Sequence, residues 1–185
     1  MASSLEICNM ALAAIGQDPI MSLEDNAKSA RLCRQTYENT KKSVLRAYPW
    51  TFAIHRARLA KELDGPVFGF ANSFKLPVDC LRLVSVSLTD DEYKVERNRI
   101  VTNFGEVSIR YVKNVADESE MDAQFIEALA TKLASSIVIS LTNDSQVLQY
   151  LKQLYTEQIS VAMNTQAIED SQQSIVEGNW LTSRR

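Results

Sequence analysis

Val44-Leu45-Arg46-Ala47-Tyr48-Pro49-Trp50-Thr51-Phe52-Ala53-Ile54 is the stretch in which the chain changes its period. Upstream of it, Ala30, Cys33, Tyr37, Val44 and Tyr48 mark the apolar stripe of a helix running from about Asn26 to Ala47. Pro49 ends that helix, because its ring disfavours the helical region at the residue before it and it has no N–H to donate. Downstream, from Trp50 to about Lys113, Val, Ile, Phe and Tyr fall into short runs. Turn signals at Asp64-Gly65-Pro66, Asp90-Asp91 and Asn103-Phe104-Gly105 divide them. Val107, Ile109 and Tyr111 alternate with Ser108 and Arg110, the period of a half-buried strand. The region reads as about four to six short antiparallel strands.

Helical periodicity returns on both sides. Toward the N-terminus, Leu5, Cys8, Leu12 and Ile15 share a helical face, Ser3 and Glu6 have capping-box spacing, and Gly16 closes the helix. Toward the C-terminus, Ser119 is the expected N-cap of a third helix with Phe125, Leu129, Leu133, Ile137 and Leu141 in phase. Asn143-Asp144 breaks the pattern. A fourth helix follows, carrying Val147, Leu148, Leu151, Leu154, Tyr155, Ile159 and Ala162. The expected fold class is α+β: a four-helix bundle from 1–49 and 114–170, interrupted by a small antiparallel β insert at 50–113, with an extended C-terminal tail at 171–185.

Composition narrows the function classes. The 185 residues are 45% hydrophobic and 23% charged, values of a globular chain able to bury a core. No apolar stretch is expected to span a bilayer, which takes ~18 residues. Glu6 and Asn9 interrupt the first apolar run, unlike a signal peptide. A soluble chain, synthesised in the cytoplasm and without a membrane partner, is expected. A net charge of −3 argues against a surface that coats nucleic acid throughout. Cys8, Cys33 and Cys80 form no CxxC, so neither a zinc site nor a disulfide framework is expected, and Cys8 and Cys33 fall in phase with core stripes as buried free thiols.

Catalytic patterns are sparse. His55 is the single histidine, on an expected strand, which removes most Ser–His–Asp layouts and His-rich metal sites. The five glycines form neither GxGxxG nor GxxxxGK[ST]. Asp90-Asp91-Glu92 sits in a turn and the acids of Asp117 to Asp122 precede a helix, positions where carboxylates serve local structure. The expectation is a protein that is not an enzyme and has no catalytic, metal or cofactor-binding residues.

Two features point instead to joining. Residues 28–62 carry nine Lys and Arg against Glu38 and Glu62, whereas 114–177 carry ten acids against Lys132 and Lys152. Such faces attract each other within one chain, or else Arg31, Arg34 and Arg46 of one copy meet Asp117, Glu118 and Glu120 of the next. The second feature is the tail, where Ile175, Val176, Trp180 and Leu181 precede Arg184 and Arg185 in a segment without periodicity. Tryptophan there is a natural anchor for docking on a partner.

Several segments carry a family resemblance. Ala11-Leu12-Ala13-Ala14-Ile15-Gly16, then Pro19-Ile20-Met21-Ser22-Leu23, resembles the opening of phage head–tail adaptor proteins of the tail tubular protein A type. Trp50-Thr51-Phe52, Leu76-Pro77-Val78-Asp79-Cys80-Leu81-Arg82-Leu83, Ile109-Arg110-Tyr111, the Phe125 to Ala130 stretch and Trp180-Leu181 continue the likeness over about residues 5–181. The resemblance implies a ring, typically a dodecamer of identical copies, in the neck of a short-tailed virion between head and tail. Its expected partners are the portal protein, gripped by C-terminal segments, and the tail nozzle protein. Genomic DNA would pass through its lumen without sequence-specific binding, and a lumen that does not hold phosphate tightly suits an acidic subunit. The alternative is an autonomous nucleic-acid-binding or regulatory module using the basic 28–62 segment.

Overall fold

A computed structural model describes residues 3–172. The fold is α+β. The described residues form α1 (Ser4–Ala13), α2 (Lys28–Ala47), β1 (Ile54–Arg58), β2 (Asn72–Lys75), β3 (Cys80–Val86), β4 (Tyr93–Glu96), β5 (Arg99–Thr102), β6 (Ser108–Lys113), α3 (Ala123–Thr142) and α4 (Ser145–Gln172). The described residues divide into two compact units, one of 3–4 and 37–125, the other of 5–36 and 126–172. The divisions fall inside α2 and α3, so each of these helices contributes to both units.

The helix ends follow from local chemistry. Gly16 adopts φ 67°, and the N–H groups of Gly16 and Gln17 reach back to the carbonyls of Ala13 and Leu12 at 3.0 Å each, a Schellman cap for α1. Asn143, at φ 55°, ends α3 in the left-handed region, with its N–H 3.1 Å from the Ile139 carbonyl. Asp144 then caps α4, its Oδ1 accepting from the N–H of Gln146 at 2.8 Å and of Val147 at 3.1 Å. One expected cap is corrected: Asp122, not Ser119, opens α3, accepting the Gln124 N–H at 2.7 Å. Ser119 lies within a single 3-10 turn, Glu118–Glu120, whose own cap is Asp117. The fourth helix also runs further than its periodicity suggests, taking in Ser171 and Gln172.

In the unit that contains the strands, two three-stranded antiparallel sheets form, in the orders β1-β6-β3 and β2-β5-β4. β6, the last strand in sequence, inserts between β1 and β3, with Ile54 opposite Val112 and Arg58 opposite Ser108. Leu59, Phe74, Leu76, Ile100, Val107, Ile109 and Tyr111 make one buried cluster, drawn from both sheets and the segments beside them. Each large side chain so buried contributes roughly 1.5–3 kcal/mol.

The C-terminus of α2 is tied into the same unit. The last carbonyls of a helix have no partner within it. Here the Trp50 indole N–H donates to the Val44 carbonyl at 3.1 Å, and the Arg82 guanidinium, from β3, donates to the carbonyls of Arg46 at 3.2 Å and Ala47 at 3.4 Å. A cation at this end also opposes the negative pole of the helix dipole. Trp50 is buried, with its ring edge-on to Tyr48 at 5.4 Å and to Phe125 at 5.2 Å, while Phe52 meets Phe125 at 5.1 Å. Edge-to-face pairs of this kind add to the apolar burial.

In the other unit, the Asn9 side chain holds the Ile20 backbone through both its N–H and its carbonyl, at 2.9 and 3.0 Å. Cys8 and Cys33 are buried free thiols hydrogen-bonded to each other. That bond, together with burial, pushes the Cys8 thiol well above its ordinary range. α3 is long and apolar enough, by length and composition, to cross a membrane, contrary to expectation. Its Leu129, Leu133, Ala134, Ile137 and Val138 are fully enclosed by protein, and a core helix meets the same criterion. α4 presents Leu151 and Ala162 as fully buried contacts, with Val147, Leu148, Leu154, Tyr155 and Ile159 half-buried beside them.

Replacing Trp50 by Phe keeps an aromatic ring but removes the N–H that satisfies Val44 and leaves part of the site unfilled. The variant should lose about 1–3 kcal/mol of stability, read as a lowered urea midpoint at unchanged slope. An unchanged midpoint would show that the indole bond does not hold the helix end.

Candidate interaction surfaces

Residues with catalytic potential are occupied in local structure. His55, on β1, is half-buried opposite Tyr111, with the two ring centres 6.3 Å apart. The Tyr111 hydroxyl donates to the Asp79 carboxylate at 3.3 Å, and burial, then the Asp79 charge, raises the tyrosine's pKa. Asp79 also anchors the strand that follows, its backbone carbonyl accepting from the Asn114 N–H at 2.8 Å. In the Asp90-Asp91-Glu92 turn, Glu92 accepts the Thr89 N–H at 2.9 Å, and Asp91 accepts the Thr89 hydroxyl at 2.7 Å, which lowers the Asp91 pKa. Among the described residues no group of three or more His, Cys, Asp and Glu side chains is placed to hold a metal ion.

Most of the cations and anions singled out for joining copies have partners inside the chain. Arg31 donates to the carbonyl and side chain of Asn26 at 2.9 and 3.1 Å. Arg34 pairs with Glu24 at 2.9 Å, and Arg46 donates to the Leu81 carbonyl. Asp117 is spent on the turn cap, where the Ser119 hydrogen bond lowers its pKa, and Glu120 lies exposed.

Glu118 belongs to a network around a buried lysine that sequence reading does not find. Lys41, only 3% exposed, lies 2.9 Å from Glu38 and 3.7 Å from Glu118, with its ammonium 5.5 Å from the centre of the Tyr37 ring. The Tyr37 hydroxyl donates to the same Glu118 oxygen at 3.2 Å. A lysine so far from water is tolerated because two carboxylates and a ring face replace its hydration. The signal was present in the sequence as a lysine four residues after Tyr37, on the apolar stripe rather than beside it. The tail residues Ile175, Val176, Trp180, Leu181, Arg184 and Arg185 lie outside the described residues.

A second feature appears only in three dimensions. The segment after Glu62 is a loop, as Gly65-Pro66-Val67-Phe68-Gly69 implies, but its apolar residues do not turn inward. Leu63, Val67 and Phe68 are almost wholly exposed. The loop's path requires glycine at two points: a Cβ on Gly65 would stand 2.9 Å from the Ala71 carbonyl oxygen, and Gly69 adopts φ 89°. At its base, Glu62 pairs with Arg99 at 2.7 Å and accepts the Ser73 hydroxyl at 2.8 Å. The Ser73 bond, then Arg99, lowers the Glu62 pKa. On the neighbouring turn, Asn103 accepts the Ala71 N–H at 3.0 Å and Phe104 is also exposed.

No protein-family model matches this chain, and no curated protein matches its sequence.

The Lys41 network sets its own test. Glu118→Gln removes one of two carboxylates facing a buried ammonium and should cost about 1–2 kcal/mol in denaturant unfolding, since a buried charge loses a charged partner. Glu120→Gln, two residues away on the surface, should fall within about 0.5 kcal/mol of the parent. Equal effects of the two changes would contradict the network.

Proposed function

We propose that this chain is a structural virion protein, a head–tail adaptor subunit that assembles with copies of itself into a ring joining a portal to a tail nozzle. In that reading its helices pack as a bundle interrupted by the β insert, and the ring, a dodecamer by resemblance, forms part of the DNA passage. It works without catalysis, in the neck of the particle, after synthesis in the host cytoplasm. The single observation that carries an assembly role is the loop from Leu63 to Gly69. Large apolar side chains held out together on one loop are the kind of exposed patch that marks an interaction site, and covering them removes apolar surface from water. Portal and nozzle as the neighbours come from the resemblance of Pro19-Ile20, Trp50-Thr51-Phe52, Leu76-Pro77 and the Trp180-Leu181 tail.

The alternative, a nucleic-acid-binding module built on the basic 28–62 segment, is less well supported over the helical part of that segment. Most of the segment's helical cations are committed within the chain: Lys28 to the Ser140 carbonyl, Arg31 to Asn26, Arg34 to Glu24, Lys41 to Glu38 and Glu118, and Arg46 to Leu81. The same internal partners weaken a joint between copies through Arg31, Arg34 and Arg46 and the acids Asp117 and Glu118, leaving Glu120 as the exposed acid outside those contacts. Each such rim pair would be worth only ~0–1 kcal/mol.

Co-expression with the cognate portal is the direct test. The full chain should co-purify as a ring, and Leu63→Ser with Phe68→Ser should leave melting unchanged while the ring fails to form. If the double variant assembles as well as the parent, the loop is not the joint. The tail has a separate assay: deleting residues 173–185 should preserve the helical circular dichroism and abolish capture by the portal, because the apolar anchors Ile175, Val176, Trp180 and Leu181 each contribute roughly 1.5–3 kcal/mol on burial. Undiminished capture would remove the docking role.

A further inference from the structure

The open face of the β1-β6-β3 sheet carries positive charge that the chain leaves largely uncompensated. Where β1 and β6 pair over 56–58 and 108–110 the residues alternate: Ala57 and Ile109 join the apolar cluster, while Arg56, Arg58, Ser108 and Arg110 stand exposed on the opposite face, which closes over further along at the buried Val112. Ser85 and Ser87 complete the face from the β3 side, and together these residues line a groove of about 510 Å³. Arg56 and Arg110 are direct cross-strand partners. Like charges placed directly opposite on neighbouring strands oppose the pairing. Arg58 is balanced by Glu106, but neither Arg56 nor Arg110 has an ion-pair partner among the described residues.

We propose that this face binds the phosphodiester backbone of duplex nucleic acid, without reading its sequence. An anion lying between Arg56 and Arg110 turns their repulsion into shared attraction, and guanidinium forks match phosphate oxygens in pairs. Serine hydroxyls, supplied here by Ser85, Ser87 and Ser108, are common phosphate partners. Arg56 and Arg58 lie two residues apart on one strand, about 7 Å, so the cations form a row suited to successive phosphates rather than a pocket for one. A protein partner fits less well, because among the described residues no large exposed apolar side chain lies on this face and interface cores depend on them. No aromatic ring lines the groove, which argues against stacked single-stranded bases. The inference concerns the free chain and does not rest on the ring reading.

The test is fluorescence anisotropy of the full chain with a labelled duplex of about 20 base pairs and arbitrary sequence, from about 10 to 200 mM salt. Binding should weaken with salt at a logarithmic slope of about −2 to −3, as expected for two or three neutralised phosphates at roughly 0.9 each. Arg56→Gln and Arg110→Gln should each take about 0.9 from the magnitude of that slope, whereas Arg31→Gln leaves it unchanged. Both face variants should melt at or above the parent temperature, because each removes a like-charge contact, so lost binding is not lost folding. The proposal is overturned by absence of binding at the lowest salt, or by affinity and slope indifferent to both substitutions. It is also overturned if poly-glutamate of equal charge displaces the duplex as well as unlabelled duplex does, which would assign the face to an acidic protein. Ring formation with portal is read separately, so failure there leaves this result intact.

Discussion

The hydrogen bond from the Trp50 indole to the Val44 carbonyl is where helix becomes strand in this protein. Pro49 makes the turn obligatory, and a turn at the end of a helix leaves carbonyls without partners, of which that of Val44 lies where the burial of Trp50 keeps water out. The indole and the Arg82 guanidinium supply those partners, one from just beyond the helix and one from β3. Because Arg82 reaches the helix end from a strand, the same contacts that finish α2 also locate β3, and with it β6, which pairs with β3 on one side and β1 on the other. The edge-on packing of Trp50 with Phe125 brings the first turn of α3 to the same place.

Charge is used in two different ways. Along α2 it is consumed internally, most completely at Lys41, where two carboxylates and the Tyr37 ring stand in for water. A segment rich in Lys and Arg is therefore not a basic surface simply because of its composition. On the β1-β6-β3 sheet the opposite holds: Arg56 and Arg110 face each other with little to offset them, and the cost is local and electrostatic. Arg56 and Arg110, set opposite each other by register and without an ion-pair partner among the described residues, concentrate potential more effectively than the cations of α2 with carboxylates close by.

The exposed loop from Leu63 to Gly69 shows a related division between composition and placement. Val67 and Phe68 flanked by glycines are ordinary candidates for burial, yet the close approach of Gly65 to Ala71 and the left-handed turn at Gly69 present them to solvent. A fold of this size hosts many functions, and a joining role is argued from such surfaces rather than from the α+β class itself.

Much of the local structure was determined by sequence alone. The stripes of α1 to α4, the stops at Gly16, Pro49 and Asn143-Asp144, the strand-rich span before Lys113 and the burial of Cys8 and Cys33 all depend on neighbours a few residues away, where periodicity and turn chemistry act. The cap of α3 escaped, because Asp117, Ser119 and Asp122 are all competent caps and the choice fell to the turn formed ahead of the helix. What only the tertiary structure decided is long-range: the pairing of β6 between β1 and β3, the register that sets Arg56 against Arg110, the burial of Lys41 beside Glu118, and the outward turn of Leu63, Val67 and Phe68. A strand's alternation states which residues share a face but not which strand lies opposite. That choice is made by the packing of residues far apart in the chain, for which a single sequence holds no local signal.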